Sequence, residues 1–149
     1  MSPKRPLLVV GQAPGRRPCG GVLLGRSGSL LAACAGLPLH EWAARVERVN
    51  LLPRWPGANG KGDHFPLDEA QTAAGRLGTR MRARRVVLLG RGVARAFGAN
   101  DLHPHFEWWR DDERDCWLAL CPHPSGVNLW WNDQSNRERA AAFWRSACA

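Results

Sequence analysis

Four apolar residues, Leu7-Leu8-Val9-Val10, run without a break into Gly11-Gln12-Ala13-Pro14-Gly15. A continuous apolar run reads as a strand buried on both faces, and a Gly/Pro turn behind it exposes backbone N–H groups. Such strands belong to parallel sheets covered by helices above and below. In open sheets of this kind ligands bind outside the carboxyl ends of the strands, so the turn is a candidate site. A second stretch near the other end of the chain, Cys121-Pro122-His123-Pro124-Ser125-Gly126, has the same layout.

The remaining strands follow from pattern. Val86-Val87-Leu88-Leu89 before Gly90 and the segment Cys116 to Cys121 are buried runs. Arg45 to Leu52 alternates in part and ends at Pro53, so its second half is read as strand two. Helices are expected from Ser27 to about Ala35, with Gly36-Leu37-Pro38 as the stop, from Leu67 to Arg84, and from Gly92 to Phe97. A last helix runs to Ser146, capped by Asn132 or Asp133. His40 to Arg48 is ambiguous between a helix and a helix running into a strand. Arg16 to Arg26, Pro53 to Pro66 and Gly98 to Arg114 read as loops, and a loop as long as the second is usually functional. Alternating strands and helices predict a three-layer α/β/α fold on a four-stranded, mostly parallel sheet, with residues 1–149 as one domain.

Composition narrows the partners. The formal charge is +8, nearly all of the excess being arginine. Arginine forks bind phosphate in bidentate fashion, so the balance points to nucleic acid, although a merely basic soluble domain has the same charge. Eight tryptophans accompany no tyrosine. Trp108-Trp109 and Trp130-Trp131 lie in polar, loop-like surroundings, where exposed aromatics beside arginines suit stacking on bases or wedging into DNA. No apolar run approaches the roughly 18 residues of a membrane span, and Leu7 to Val10 is too short for a signal-peptide core, so a cytoplasmic protein without membrane contact is expected.

Simpler cofactor readings fail on spacing. Gly11-Gln12-Ala13-Pro14-Gly15 lacks the glycine spacing of a dinucleotide fingerprint. Gly57-Ala58-Asn59-Gly60-Lys61-Gly62 lacks the spacing, the Ser or Thr after Lys, and the preceding strand of a phosphate loop. The five cysteines (19, 34, 116, 121 and 148) contain no Cys-x-x-Cys pair, which gives a disulfide framework or a metal site little support. No cofactor and no metal is expected.

Taken together, the motifs are more specific. A strand ends in Gly-Gln-Ala-Pro-Gly, followed by Leu23-Leu24-Gly25-Arg26-Ser27-Gly28-Ser29-Leu30-Leu31, a strand ending near Asn50, the strand into Gly90, and a strand into His123-Pro124-Ser125-Gly126. This order resembles the uracil-DNA glycosylase superfamily, nearest its short prokaryotic branches whose first motif reads Gly-Glu-Ala-Pro-Gly. The resemblance runs from about Leu7 to the final helix; its two end motifs are specific, and the middle matches by order and type.

The resemblance implies roles that the chemistry supports. A glycosylase must take its base out of the stack and stabilise the anion that departs. His123 stands at the leaving-group histidine, placed to donate to a base oxygen; a His at a strand end also serves as a plain backbone partner. Asn50 stands at the pocket asparagine, whose amide reads a pyrimidine edge; before Pro53 it also suits a turn. N–H groups around Gln12 and Ala13 would bind a base carbonyl. Leu129 and Trp130, after Gly126, are candidates for the wedge that fills the gap of a flipped base, while Trp131 is open to core packing. Ser125, Arg16, Arg17 and Arg26 would hold phosphates, though an arginine run is also an ordinary solvated face. The implied partner is double-stranded DNA bound by a monomer.

Three departures shape the expected activity. Gln12 replaces the acid of the nearest branch and Ala13 replaces the Asp or Asn of others, so the usual water-orienting group is missing; Asp63 is a substitute candidate. Leu23 stands where an aromatic ring would stack on the base, which widens the pocket. The iron–sulfur cysteines of the nearest branch are absent. The expectation is a DNA glycosylase for a modified pyrimidine, such as a bulky phage-type cytosine in a defence role. A repair enzyme for uracil and an inactive DNA-binding protein of the same fold are the alternatives.

Overall fold

A computed structural model describes residues 5–16, 20–60, 62–99, 102–125 and 128–149, the side chains of Gly62 and Asp63 apart. Arg17, Cys19, Lys61, Gly126 and Val127 lie outside the described residues.

The apolar runs form the strands expected of them. β1 (Leu7–Gly11), β2 (Val46–Asn50), β5 (Arg85–Leu89) and β7 (Cys116–Cys121) pair in parallel in the order β2-β1-β5-β7. The sheet has a fifth strand, which corrects the expected four. β6 (Trp109–Asp111) pairs antiparallel with β7 at the edge, Trp109 opposite Leu118 and Asp111 opposite Cys116. Three residues inside a polar segment carry too short an alternation to announce a strand. The long loop after β2 also holds a small hairpin of β3 (Ala58–Asn59) and β4 (Gly62–Asp63).

Alternate residues of each central strand feed two cores. Leu7, Val9, Val87, Leu89, Ala119 and Cys121 face α1 (Arg26–Ala35), α2 (Leu39–Arg45) and the final helix α6 (Gln134–Ala147). Leu8, Val10, Val86, Leu88, Leu118 and Leu120 face α3 (Leu67–Arg76), α4 (Gly78–Met81) and α5 (Arg91–Ala96). Helices therefore cover both faces of a mostly parallel sheet, which is why its central strands β1, β5 and β7 are largely apolar. The expected helix over 67–84 is two helices, interrupted at Leu77 between Gly75 and Gly78, the weakest helix formers of the segment. His40 to Arg48 resolves as α2 passing directly into β2.

The predicted ends hold at two places. Gly36 closes α1 in the left-handed conformation (φ 72°), with its N–H and that of Leu37 on the Ala33 and Ala32 carbonyls at 3.0 Å. Asp133 caps α6 by accepting from Ser135 N at 2.8 Å and Asn136 N at 3.2 Å. No helix among the described residues is long and apolar enough to cross a membrane.

The tryptophans correct the expectation of exposed rings. Trp131 is buried, with its indole N–H on the His123 carbonyl at 2.9 Å. Trp130 is half-buried, 5.6 Å from Phe106 and 4.7 Å from Trp131. Trp108 packs on Phe143 at 5.4 Å, and Trp109 lies against His103 at 4.4 Å. Aromatic partners from distant elements bury these rings, and a polar local sequence does not show them. The exposed indole is Trp117, with the Arg110 guanidinium 5.9 Å away.

Candidate functional site

Strand register aligns the motif-bearing ends. Gly11 stands opposite Asn50, Val10 opposite Leu88, and Leu89 opposite Cys121. The turns that follow β1, β2, β5 and β7 thus share one edge, the carboxyl edge. The chain leaves β1 toward β2 on one side and β5 toward β7 on the other, so the sheet has its switch point between β1 and β5.

A cavity of about 470 Å³ opens at this edge, bounded by Ala13, Pro14 and Gly15, by Gly21 to Leu23, by Gly25, Arg26 and Ser27, and by Asn50. Its size falls within the roughly 300–1,000 Å³ of small-molecule sites. Asn50 lies over Gly11, where a methyl group would come within 2.6 Å of Oδ1 and 3.5 Å of Leu23. The Asn50 Oδ1 atom is buried and has no hydrogen-bond partner among the described residues. An unpartnered buried acceptor costs roughly 1–3 kcal/mol, and this one, packed against Gly11, belongs to a residue that bounds the cavity.

The opposite wall is a held turn. Leu23 has φ 54°, a left-handed conformation that costs an ordinary side chain roughly 1–2 kcal/mol. Two contacts fix it. Arg48 donates from Nε to the Val22 carbonyl at 2.9 Å and from Nη1 to Ala43 at 2.6 Å, tying the turn to β2. The Leu23 carbonyl sits where any Cβ at position 28 would be, so Gly28 admits it against α1. The first motif is tied as well: the Gly11 and Gln12 carbonyls accept from Leu51 and Leu52 N–H at 2.9 Å each.

The second motif reaches this rim through Ser27, whose Oγ donates to the Pro124 carbonyl at 2.7 Å. His123 precedes that contact and packs on Gly90, 3.2 Å from where a Cβ there would stand. The His123 carbonyl accepts from Ser125 N (2.9 Å), Asn128 Nδ2 (3.0 Å) and Trp131 Nε1 (2.9 Å), which makes the histidine turn a rigid unit.

The structure therefore gathers Ala13, Leu23, Asn50 and Arg26 around one cavity, while His123 and Ser125 do not bound it and flank Pro124, whose carbonyl meets the cavity residue Ser27. Gln12 is half-buried and gives its carbonyl to Leu52. Arg16 is exposed, its guanidinium 5.6 Å from the Trp55 ring. Leu129 is 77% exposed. Asp63 lies in β4, and its side chain, Arg17 and Gly126 are outside the described residues. Sequence reasoning missed Ser27 and Arg48, whose backbone contacts depend on tertiary geometry.

Other chemistry is thinly represented. Cys34, Cys116, Cys121 and Cys148 are buried, and burial pushes each thiol up, Cys116 to about 11. Thiols held protonated in this way are poor nucleophiles. Among the described residues no group of three or more His, Cys, Asp or Glu is placed to hold a metal ion. No protein-family profile and no curated protein matches the chain.

Proposed function

We propose that this chain is a DNA glycosylase of the uracil-DNA glycosylase-like fold that flips out and excises a modified pyrimidine. The observation that carries the reading is the buried, unpartnered Asn50 Oδ1 beside the cavity at the carboxyl edge. A pyrimidine edge offers the N–H donor that this acceptor lacks, and the Asn50 amide donates in return. The three-layer arrangement, the single domain, the cytoplasmic location and the monomeric state belong to the same proposal.

The base enters the cavity with its edge on Asn50 and its face toward Leu23. The glycosidic bond breaks with its electron pair going to the base, and positive charge grows on the sugar. His123 donates to a base oxygen as negative charge develops there, the moment at which a fixed donor contributes most. Water adds to the sugar carbon and releases a proton, leaving an abasic site. Leu23 is smaller than an aromatic ring, which favours a bulky base such as a phage-type modified cytosine over plain uracil. Leu129 fills the vacated stack. Arg16, Arg26 and Ser125 hold the backbone, and affinity falls steeply with salt.

A second reading is a DNA-binding protein without catalysis. It is favoured by Gln12 and Ala13 in place of an acid, and by the lack of a carboxylate among the described residues that bound the cavity.

The deciding experiment incubates the protein with phage DNA bearing modified cytosines and with uracil-containing duplexes, then scores alkali-labile breaks. Breaks in the modified DNA, lost by orders of magnitude in His123→Ala with binding retained, are expected. Breaks confined to uracil duplexes replace this reading with repair. Binding without breaks on any substrate leaves the non-catalytic reading.

A further inference from the structure

Two large apolar side chains among the described residues stand out in solvent: Leu129, 77% exposed, and Leu102, 88% exposed. Leu129 is already given a role above. Leu102 is not, and nothing in its sequence surroundings marks it.

Its loop is anchored at the base. The His103 carbonyl accepts from Arg91 Nη1 at 3.0 Å, and the His103 ring lies 4.4 Å from Trp109. Two residues on, His105 bridges to Leu120 of β7, and Phe106 N–H reaches the Leu120 carbonyl at 2.9 Å. The His105 ring then meets Trp130 at 5.8 Å, next in the chain to Leu129. Three residues of chain span about 10 Å at most, so Leu102 stands within that distance of His105, whose ring meets the residue next to Leu129.

Two guanidinium groups reach this segment, beside the exposed carboxylates of Glu107 and Glu138. Arg91 from α5 and Arg139 from α6 both act on His105, and Arg139 also lies 5.9 Å from the Phe106 ring. An apolar tip on a pinned base, flanked by guanidinium groups, is the combination that inserts between base steps while holding phosphate.

We propose that Leu102 is a second wedge against duplex DNA, inserting on the same flank as Leu129, with Arg91 and Arg139 holding phosphates nearby. The inference rests on the reading that duplex DNA is the partner. Two wedges on one duplex keep it kinked while the base is out, and a single strand offers nothing to wedge.

The test uses the full chain and a 2-aminopurine-labelled duplex carrying a tetrahydrofuran abasic site. Leu102→Ala is expected to weaken duplex binding about tenfold, the effect of leaving one buried leucine out of the contact. It should also lower the 2-aminopurine fluorescence gained on binding, with the melting temperature unchanged. Arg139→Ala should flatten the slope of log affinity against log salt by about one contact. A Leu102→Ala protein that matches the parent in affinity and fluorescence overturns the proposal and gives that leucine to a protein-facing surface. A parent that binds neither duplex nor single strand overturns the DNA reading itself, a distinct result because it precedes any mutation.

Discussion

Ser27 and Pro124 meet across 97 residues of chain, hydroxyl to carbonyl, at 2.7 Å. The contact joins the first turn of α1, which bounds the cavity, to the turn that carries His123. Replacing Ser27 by Ala removes the donor and leaves a partly buried carbonyl unpaired, at a cost of about 1–2 kcal/mol. Urea denaturation measures that loss. Under the proposed function, a fall in base excision larger than the stability change accounts for would show that the contact also positions His123.

Two glycines separate the fold from the site. A methyl group at position 28 collides with the Leu23 backbone carbonyl, which is held in place, so Gly28→Ala should destabilise by more than about 3 kcal/mol or fail to fold. A methyl at position 11 meets the end of the Asn50 side chain, which is able to swing away. Gly11→Ala should therefore fold, with a small loss of melting temperature, and lose ligand binding. Circular dichroism melts and the cleavage assay distinguish the two.

Acid sensitivity has one source in Glu47. Its carboxylate pairs with Arg80 at 2.5 Å and with the buried Arg84 at 2.7 Å. Arg84 also donates to the Pro6 carbonyl at 2.8 Å and to Arg80 at 3.1 Å. The Arg80 hydrogen bond, followed by the Arg84 guanidinium, holds the Glu47 carboxyl below its ordinary 4.5. A group with a depressed folded-state value stabilises fully above 4.5, and its contribution is lost as pH falls through the lower folded value. Glu47→Gln should flatten the acid limb of a stability-against-pH curve in that window. Arg84→Ala should cost about 1–3 kcal/mol at neutral pH, because it removes a buried guanidinium that serves the Pro6 and Arg80 carbonyls and the half-exposed Glu47.

His105 sets a second window. Burial first, then Arg91 and Arg139, push its imidazole from 6.5 down to about 4. The folded chain keeps it neutral where the unfolded chain takes up a proton, so stability is complete above 6.5 and declines as pH drops toward 4. His105→Phe should remove that slope. Thermal melts between pH 7 and 4 read the difference directly.

The central strands were legible because each is an apolar run buried on two faces, and β1, β5 and β7 need no neighbour to be recognised. β6 was not, since three residues acquire their strand character only from pairing with β7. The break at Leu77 was hidden by a periodicity that continues past it. At the site, Asn50, Leu23 and Ala13 meet around one cavity because turns after parallel strands share an edge. The half-burial of Trp130 was opaque, whereas Trp131 takes the core packing its sequence left open. Phe106 and Phe143, which enclose the aromatic cluster, come from segments far away in sequence.

The clamped turn at Leu23 has a consequence for how such a protein changes over time. Its backbone is fixed from both sides, by Arg48 through Val22 and by α1 at Gly28. The wall cannot retreat or advance as a loop would. Only the side chain at 23 is free to alter the room left above Asn50, so that single codon works as a dial on the size of guest admitted. Under the proposed function, exchanges there should retune preference among bases without disturbing the scaffold.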